Sequence, residues 1–188
     1  MRAIALIILY TALIAGANGS WAENTNISML NQLRQGDMQK LVLHPAPKRV
    51  SDIQFMTVSG AKKSLVDYKG RFVLVNFWAT WCAPCRAEMP SLSTLQSTIG
   101  GSDFNVVTIA TGRNTPVAIE KFFAENGIGN LPTYRDPKQK LVRDMAVLGL
   151  PASILISPKG REIGRLLGDA NWSDAAALTL LSTWIAQK

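Results

Sequence analysis

Apolar positions crowd into a few short runs along this chain. The densest is "RFVLVNFWA" (71–79), where Val and Phe follow one another almost without a polar break. Such a run predicts a β-strand buried on both faces, as in the middle of a sheet covered by helices. The spacing then changes. Cys85, Met89, Leu92, Leu95 and Ile99 recur every three or four residues, which predicts a helix with one buried stripe, and Gly100-Gly101 stops it. "FNVVTIA" (104–110) predicts a second buried strand. In "TPVAIEKFFAENG" (115–127), Thr115 is placed to cap a helix, Pro116 takes its first position and Gly127 ends it. A further helix is expected over 138–147. "SILIS" (153–157), a "PKG" turn (158–160) and "REIGRLLG" (161–168) predict an antiparallel hairpin. A last helix starts at about Ser173, with Leu178, Leu181, Trp184 and Ile185 turned inward.

Ahead of the first buried run, "IQFMTV" (53–58) and the turn residues Ser59-Gly60 predict a short hairpin or edge strand, an N-terminal β-hairpin extension. Residues 23–44 are polar and irregular, with a short helix expected near 27–35, and "HPAPKR" (44–49) reads as a linker because of its two prolines. The expected organisation is an irregular linker over 23–47 and a folded domain over 48–188. The order βαβα followed by ββα predicts an α/β fold, a central mixed sheet with helices on both faces.

The first residues have a different pattern. Arg2 precedes the apolar run Ala3–Ala17, which is shorter than the roughly 20 residues of a membrane-spanning helix. A charged start, an apolar core and small residues before a break match a secretory signal, with Ala17-Asn18-Gly19 and Ser20-Trp21-Ala22 as candidate cleavage triplets. Residues 1–22 are therefore expected to be a signal peptide, or an uncleaved N-terminal membrane anchor. Both place the body outside the cytoplasm, where disulfides persist.

Composition changes this picture little. Of the 188 residues, 47% are hydrophobic and 18% charged, as in a globular domain that can bury a core without disulfide support. The net charge of +7 is scattered rather than striped. Mixtures such as "KQKLVR" (138–143) read as solvated helix faces, and no nucleic-acid motif accompanies them.

The chain has two cysteines, Cys82 and Cys85, both in "ATWCAPC" (79–85) at the junction of a buried strand and a helix. Open α/β sheets place their chemistry at such junctions. A structural disulfide closing so small a loop would stabilise little. Zinc needs two more ligands, and the single histidine, His44, lies in the expected linker. A c-type haem site needs His at position 86, which is Arg86. A Cu(I) site from Cys82, Cys85 and His44 is a weaker alternative. A reversible dithiol explains more. The unpaired N–H groups and dipole of a helix N-terminus favour a thiolate at Cys82, while Cys85, one turn further in, suits a buried resolving thiol. Pro84 removes one N–H donor, which tempers the stabilisation of that thiolate and favours a reductant over a strong oxidant.

"VLVNFWATWCAPCRAEMP" (73–90) and "GLPASILISPKG" (149–160) together resemble the two signatures of extracytoplasmic thioredoxin-like proteins of the TlpA/ResA/DsbE (CcmG) type. The resemblance covers about residues 50–188. It implies a thioredoxin-like fold and a thiol:disulfide oxidoreductase acting as a reductant in an oxidising compartment. Cys82 then corresponds to the attacking thiol and Cys85 to the resolving one. Pro151 corresponds to a cis-proline facing the dithiol, with the Leu150 backbone pairing to an extended substrate. Trp81 corresponds to an exposed flanking tryptophan, and Pro90 to a proline in the active-site helix. Asn76 stands where cytoplasmic thioredoxins carry a buried aspartate. Glu88 matches the glutamate of the ResA/DsbE branch, expected to act as proton acceptor and donor for Cys85.

Implied partners are protein disulfides, among them apocytochrome c cysteines or copper-site thiols of oxidase assembly factors, and a DsbD/CcdA-type membrane donor. The implied cofactor is none beyond the Cys82–Cys85 pair, with no metal, and the implied state is a periplasmic monomer, soluble or anchored. Two alternatives stay open: a disulfide oxidase or isomerase, and a non-enzymatic Cu(I)-binding assembly module.

Overall fold

The computed structural model describes residues 27–187, so the signal or anchor expectation for residues 1–22 falls outside the described residues. Among the described residues no helix is long and apolar enough to cross a membrane. Among the described residues eight strands form: β1 (Leu41–Arg49), β2 (Phe55–Thr57), β3 (Lys62–Lys63), β4 (Phe72–Trp78), β5 (Phe104–Thr111), β6 (Thr133–Asp136), β7 (Ala152–Ile156) and β8 (Arg161–Leu167). They form one sheet in the order β1-β8-β7-β4-β5-β6-β2-β3. A short helix over 27–32 precedes the sheet, α1 (Ala83–Ile99), α2 (Pro116–Glu125) and α3 (Lys140–Asp144) lie between strands, and α4 (Ala175–Ile185) follows β8.

The sheet is mixed, as the element order predicts. β4 runs parallel to β5 and β5 to β6, while β7 lies antiparallel against β4 and carries β8 on its other side. All seven residues of β4 are buried, and Val75 pairs with Val107 on one side and Ile154 on the other. Alternate residues feed two cores. Leu74 and Trp78 join α1, α2 and α4 on one face, and Val73, Val75 and Phe77 join α3 and Leu65 on the other. α1 is punctuated as its sequence predicts, from its N-cap at Cys82 to its C-cap at Gly100. The Thr115 hydroxyl caps α2, accepting from Ala118 N–H, and Gly127 takes a left-handed φ of 64° beyond its end. The expected hairpin over 53–60 forms as β2 and β3, with β2 also pairing to β6.

Three expectations are corrected. Residues 41–49 are not a linker but the edge strand β1, paired antiparallel to β8. Pro45 and Pro47, which made the stretch look irregular, fall within a register shift between Leu43 and Lys48. An edge strand tolerates prolines there because their missing N–H groups interrupt no inner ladder. The packed body therefore begins before residue 48, with Leu30, Met38 and Leu41 almost wholly buried in the main core. The order βαβα then ββα also omits β6. Its "TYRD" carries no apolar run because three of its four residues are only half-buried. The helix expected over 138–147 is the shorter α3.

Candidate dithiol site

Strand β4 ends at the fully buried Trp78, and the chain turns through Ala79–Trp81 into α1. The turn is tied down. Cys82 N–H donates to the Ala79 carbonyl at 3.1 Å, and Thr80 donates through both N–H and hydroxyl to Asn114 Oδ1 at 2.8 and 2.9 Å. Asn114 in turn donates from Nδ2 to the Thr111 carbonyl at 2.7 Å, fixing the turn to the end of β5.

Cys82 is the N-cap of α1 and is joined to Cys85 by a disulfide. Cys85 N–H donates to the Cys82 sulfur at 3.4 Å, so a first-turn donor of the helix already points at that atom. Cys85 is completely buried and Cys82 is 7% exposed, which orders the two thiols as outer and inner. Trp81 beside them is 63% exposed. Across an open cleft of about 440 Å³, Cys82, Trp81 and Pro84 face Thr111, Gln139, Val142 and the segment Val147–Leu150. The Leu150–Pro151 peptide is cis, as the resemblance implies for Pro151.

Glu88 lies one turn beyond Cys85 on the same face of α1, and it is 3% exposed rather than a solvated surface glutamate. Three donors hold its carboxylate: Asn76 Nδ2 on Oε1 at 2.7 Å, and Ala170 N–H and Trp172 Nε1 on Oε2, each at 3.2 Å. Asn76 also donates to the Ser153 hydroxyl at 3.0 Å, joining β4, β7 and α1 behind the disulfide. Burial pushes the Glu88 carboxyl up to about 7. The hydrogen bonds from Asn76, Ala170 and Trp172 oppose that rise, and the nearby Asp169 charge adds to it. Glu88 thus sits where a modest change in its surroundings moves a proton near neutral pH.

The structure gathers Trp81, Cys82, Pro84 and Leu150 around one opening, with the buried Pro151 following Leu150 through the cis bond, and it buries Glu88 one turn beyond Cys85 and places Pro90 inside α1. His44 is not brought to the cysteines. It is buried on β1, bonded through Nε2 to Glu162 Oε1 at 2.6 Å, and β8 and β7 separate its strand from β4, about 14 Å of sheet. A Cu(I) site using His44 with both thiols therefore has no geometric support. Sequence reasoning missed Asn114, Ser153 and Trp172. Asn114 follows a Gly-Arg pair that could have flagged a turn, whereas Trp172 reaches Glu88 from 84 positions away and carries no local signal.

A mixed sheet whose central strand leads into a helix capped by a Cys-x-x-Cys disulfide defines the thioredoxin-like class of folds. Within that class the chain belongs to the AhpC/TSA family, whose model matches residues 45–161. It is 31% identical over 112 residues to the thiol-disulfide oxidoreductase ResA of Bacillus thuringiensis, a match covering 60% of this chain and 64% of that protein. The chain thus spans just under two thirds of that relative's length. It is also 35% identical over 99 residues to the thiol:disulfide interchange protein HelX of Rhodobacter capsulatus, covering 53% of each. A thioredoxin-family thiol:disulfide interchange protein from Chlorobium tepidum superposes with a TM-score of 0.61 at 27% identity, covering 74% of this chain and 97% of that one.

Proposed function

We propose that this protein is an extracytoplasmic thiol:disulfide oxidoreductase that reduces disulfides in particular proteins. The observation that carries the reading is the disulfide at the N-terminus of α1, opening onto a cleft whose opposite wall is Val147–Leu150. In the reduced protein the Cys82 thiolate attacks a substrate disulfide, forming a mixed disulfide and releasing one substrate thiolate. Cys85, giving its proton to Glu88, then attacks the Cys82 sulfur. The second substrate thiol leaves and the Cys82–Cys85 bond forms. Two electrons pass to the substrate, and a DsbD/CcdA-type membrane donor restores the dithiol. The extended substrate lies along the Leu150 backbone with Trp81 and Pro84 on the other wall. Candidate substrates are apocytochrome c cysteines before haem attachment, or copper-site thiols in oxidase assembly. The protein acts as a monomer with no cofactor beyond its dithiol, and residues 1–22 export or anchor it.

Pro84 supports the direction, because its missing N–H leaves the Cys82 thiolate one donor short and so keeps the dithiol a reductant. Equilibration with glutathione tests it. A potential near the roughly −270 mV of thioredoxin is expected, and one near the roughly −120 mV of a strong oxidant would overturn the direction. A Cys85→Ser variant should retain substrate on Cys82 as a mixed disulfide. Capture of no protein from an extracytoplasmic extract would count against the reading.

A further inference from the structure

We propose that Arg165, clamped by Glu162, which His44 in turn holds, is a positioning residue that fixes the Val147–Leu150 wall of the dithiol cleft, and through it selects extended peptide disulfides over compact ones. The inference rests on the oxidoreductase reading above.

The wall begins where α3 ends. This helix has five residues, too few to persist without tertiary support. Its exit is turned sharply, with Ala146 at φ 50°, a left-handed conformation that alanine rarely adopts. The carbonyls of Met145 and Ala146 emerge at this turn, and both point at one guanidinium. Arg165 Nη2 donates to the Met145 carbonyl at 3.1 Å and Nη1 to the Ala146 carbonyl at 3.3 Å. A cation at that helix end also complements its dipole. The next residues, Val147 to Leu150, line the cleft opposite Cys82, and Leu148 stands 94% exposed at its rim.

The guanidinium itself is held from behind. Glu162 accepts a bidentate pair from Arg165, Nε on Oε1 at 2.7 Å and Nη2 on Oε2 at 2.8 Å, and His44 Nε2 meets Oε1 at 2.6 Å. Arg165 is 19% exposed, and Glu162 and His44 are almost wholly buried. A buried ionic cluster of this kind contributes little net stability compared with an apolar packing of the same volume. What it supplies here is geometry, because the planar fork leaves its remaining donors aimed in fixed directions. β8 is anchored in the sheet through β7 and β1, so the clamp transfers the sheet's rigidity to a loop that has little of its own. None of the three residues lines the dithiol cleft, which separates this role from the chemistry.

The test compares Arg165→Met and Arg165→Lys with the parent protein. Reduced protein is mixed with a disulfide-bridged apolar peptide and, separately, with hydroxyethyl disulfide, which needs no wall. For the methionine variant the peptide reaction should slow about 10- to 100-fold, chiefly in KM, while the small disulfide reacts within about 2-fold and the dithiol potential is unchanged. Lysine, a point charge without the fork, should fall between. Equal losses on both substrates, or none on the peptide, would overturn the proposal. Amide hydrogen exchange in the oxidised protein supplies a readout free of any activity. Exchange of the Met145, Ala146 and Val147 amides, which bond to the carbonyls of Leu141, Arg143 and Val142, should quicken at least about 10-fold in the methionine variant while β4 is unaffected. Unchanged exchange there sinks the clamp even if the protein is an oxidoreductase. Faster exchange in a protein that reduces neither disulfide leaves the clamp standing and overturns the assigned activity. Should Arg165→Met fail to fold, Glu162→Gln, which keeps the shape but weakens the grip on the guanidinium, takes its place in both measurements.

Discussion

Glu88 shows how one side chain ties protonation to folding. Its carboxyl is pushed up to about 7 by burial, against an ordinary value of 4.5. A folded-state value above the unfolded one means the native state holds the proton more tightly. The resulting stability is full below about pH 4.5, declines as pH rises, and is gone above about pH 7. The span corresponds to up to about 3 kcal/mol. Glu162 works in the other direction. Burial raises its pKa, but hydrogen bonds from Arg165 and His44 more than offset this and hold it below the usual glutamate range. Its contribution is present at neutral pH and lost in acid. Comparing urea midpoints of the oxidised protein and a Glu88→Gln variant from pH 4.5 to 8 separates the two, since Glu162 is common to both. The parent should lose stability relative to the variant as pH rises, and parallel curves would remove Glu88 as the titrating group. The position of Glu88 could be read from its spacing to Cys85. Its hydrogen-bond partners could not, because Asn76 and Trp172 reach it from β4 and from beyond β8 only once the sheet has assembled.

At the scale of elements, legibility followed burial. β4 and α1 stand out in the sequence because one is buried on every residue and the other along a single stripe. β1 and β6 do not, because they lie nearer the margins of the sheet. One carries prolines within a register shift and the other has three half-buried residues in a row before a buried aspartate, so neither leaves an apolar pattern. The correction at β1 has a measurable consequence. A chain beginning at Val50 would lack Leu30, Met38, Leu41 and Leu43, all buried against the main core. At roughly 1.5–3 kcal/mol for each such side chain, the loss is comparable to the entire stability of about 5–15 kcal/mol expected of a domain. That shortened chain should show no cooperative unfolding transition by circular dichroism at 25 °C, whereas one beginning at Ile27 should. An unchanged urea midpoint for the shorter chain would mean β1 is an appendage and not part of the fold.

For the whole molecule, the net charge of +7 and the dithiol cleft are separate devices. Trp81, Cys82, Pro84, Thr111, Gln139, Val142 and Val147–Leu150 line the cleft, and none of them is charged. Contact inside the cleft should therefore depend on apolar and backbone complementarity, and the basic residues outside it can act only at long range. Long-range steering is screened within about 10 Å at 0.1 M salt, whereas apolar contact is not. The two contributions can then be pulled apart by ionic strength. Raising salt from about 0.02 to about 0.5 M should slow the reaction of reduced protein with an acidic disulfide peptide several-fold, while a neutral peptide of the same length keeps its rate. Stopped-flow tryptophan fluorescence, with Trp81 beside the dithiol as reporter, would follow both reactions. If the neutral peptide slowed as much as the acidic one, charge would have to act inside the cleft itself, and its uncharged lining would no longer account for recognition. If neither slowed, the basic surface would play no part in encounter, leaving apolar and backbone contact in the cleft to select the substrate.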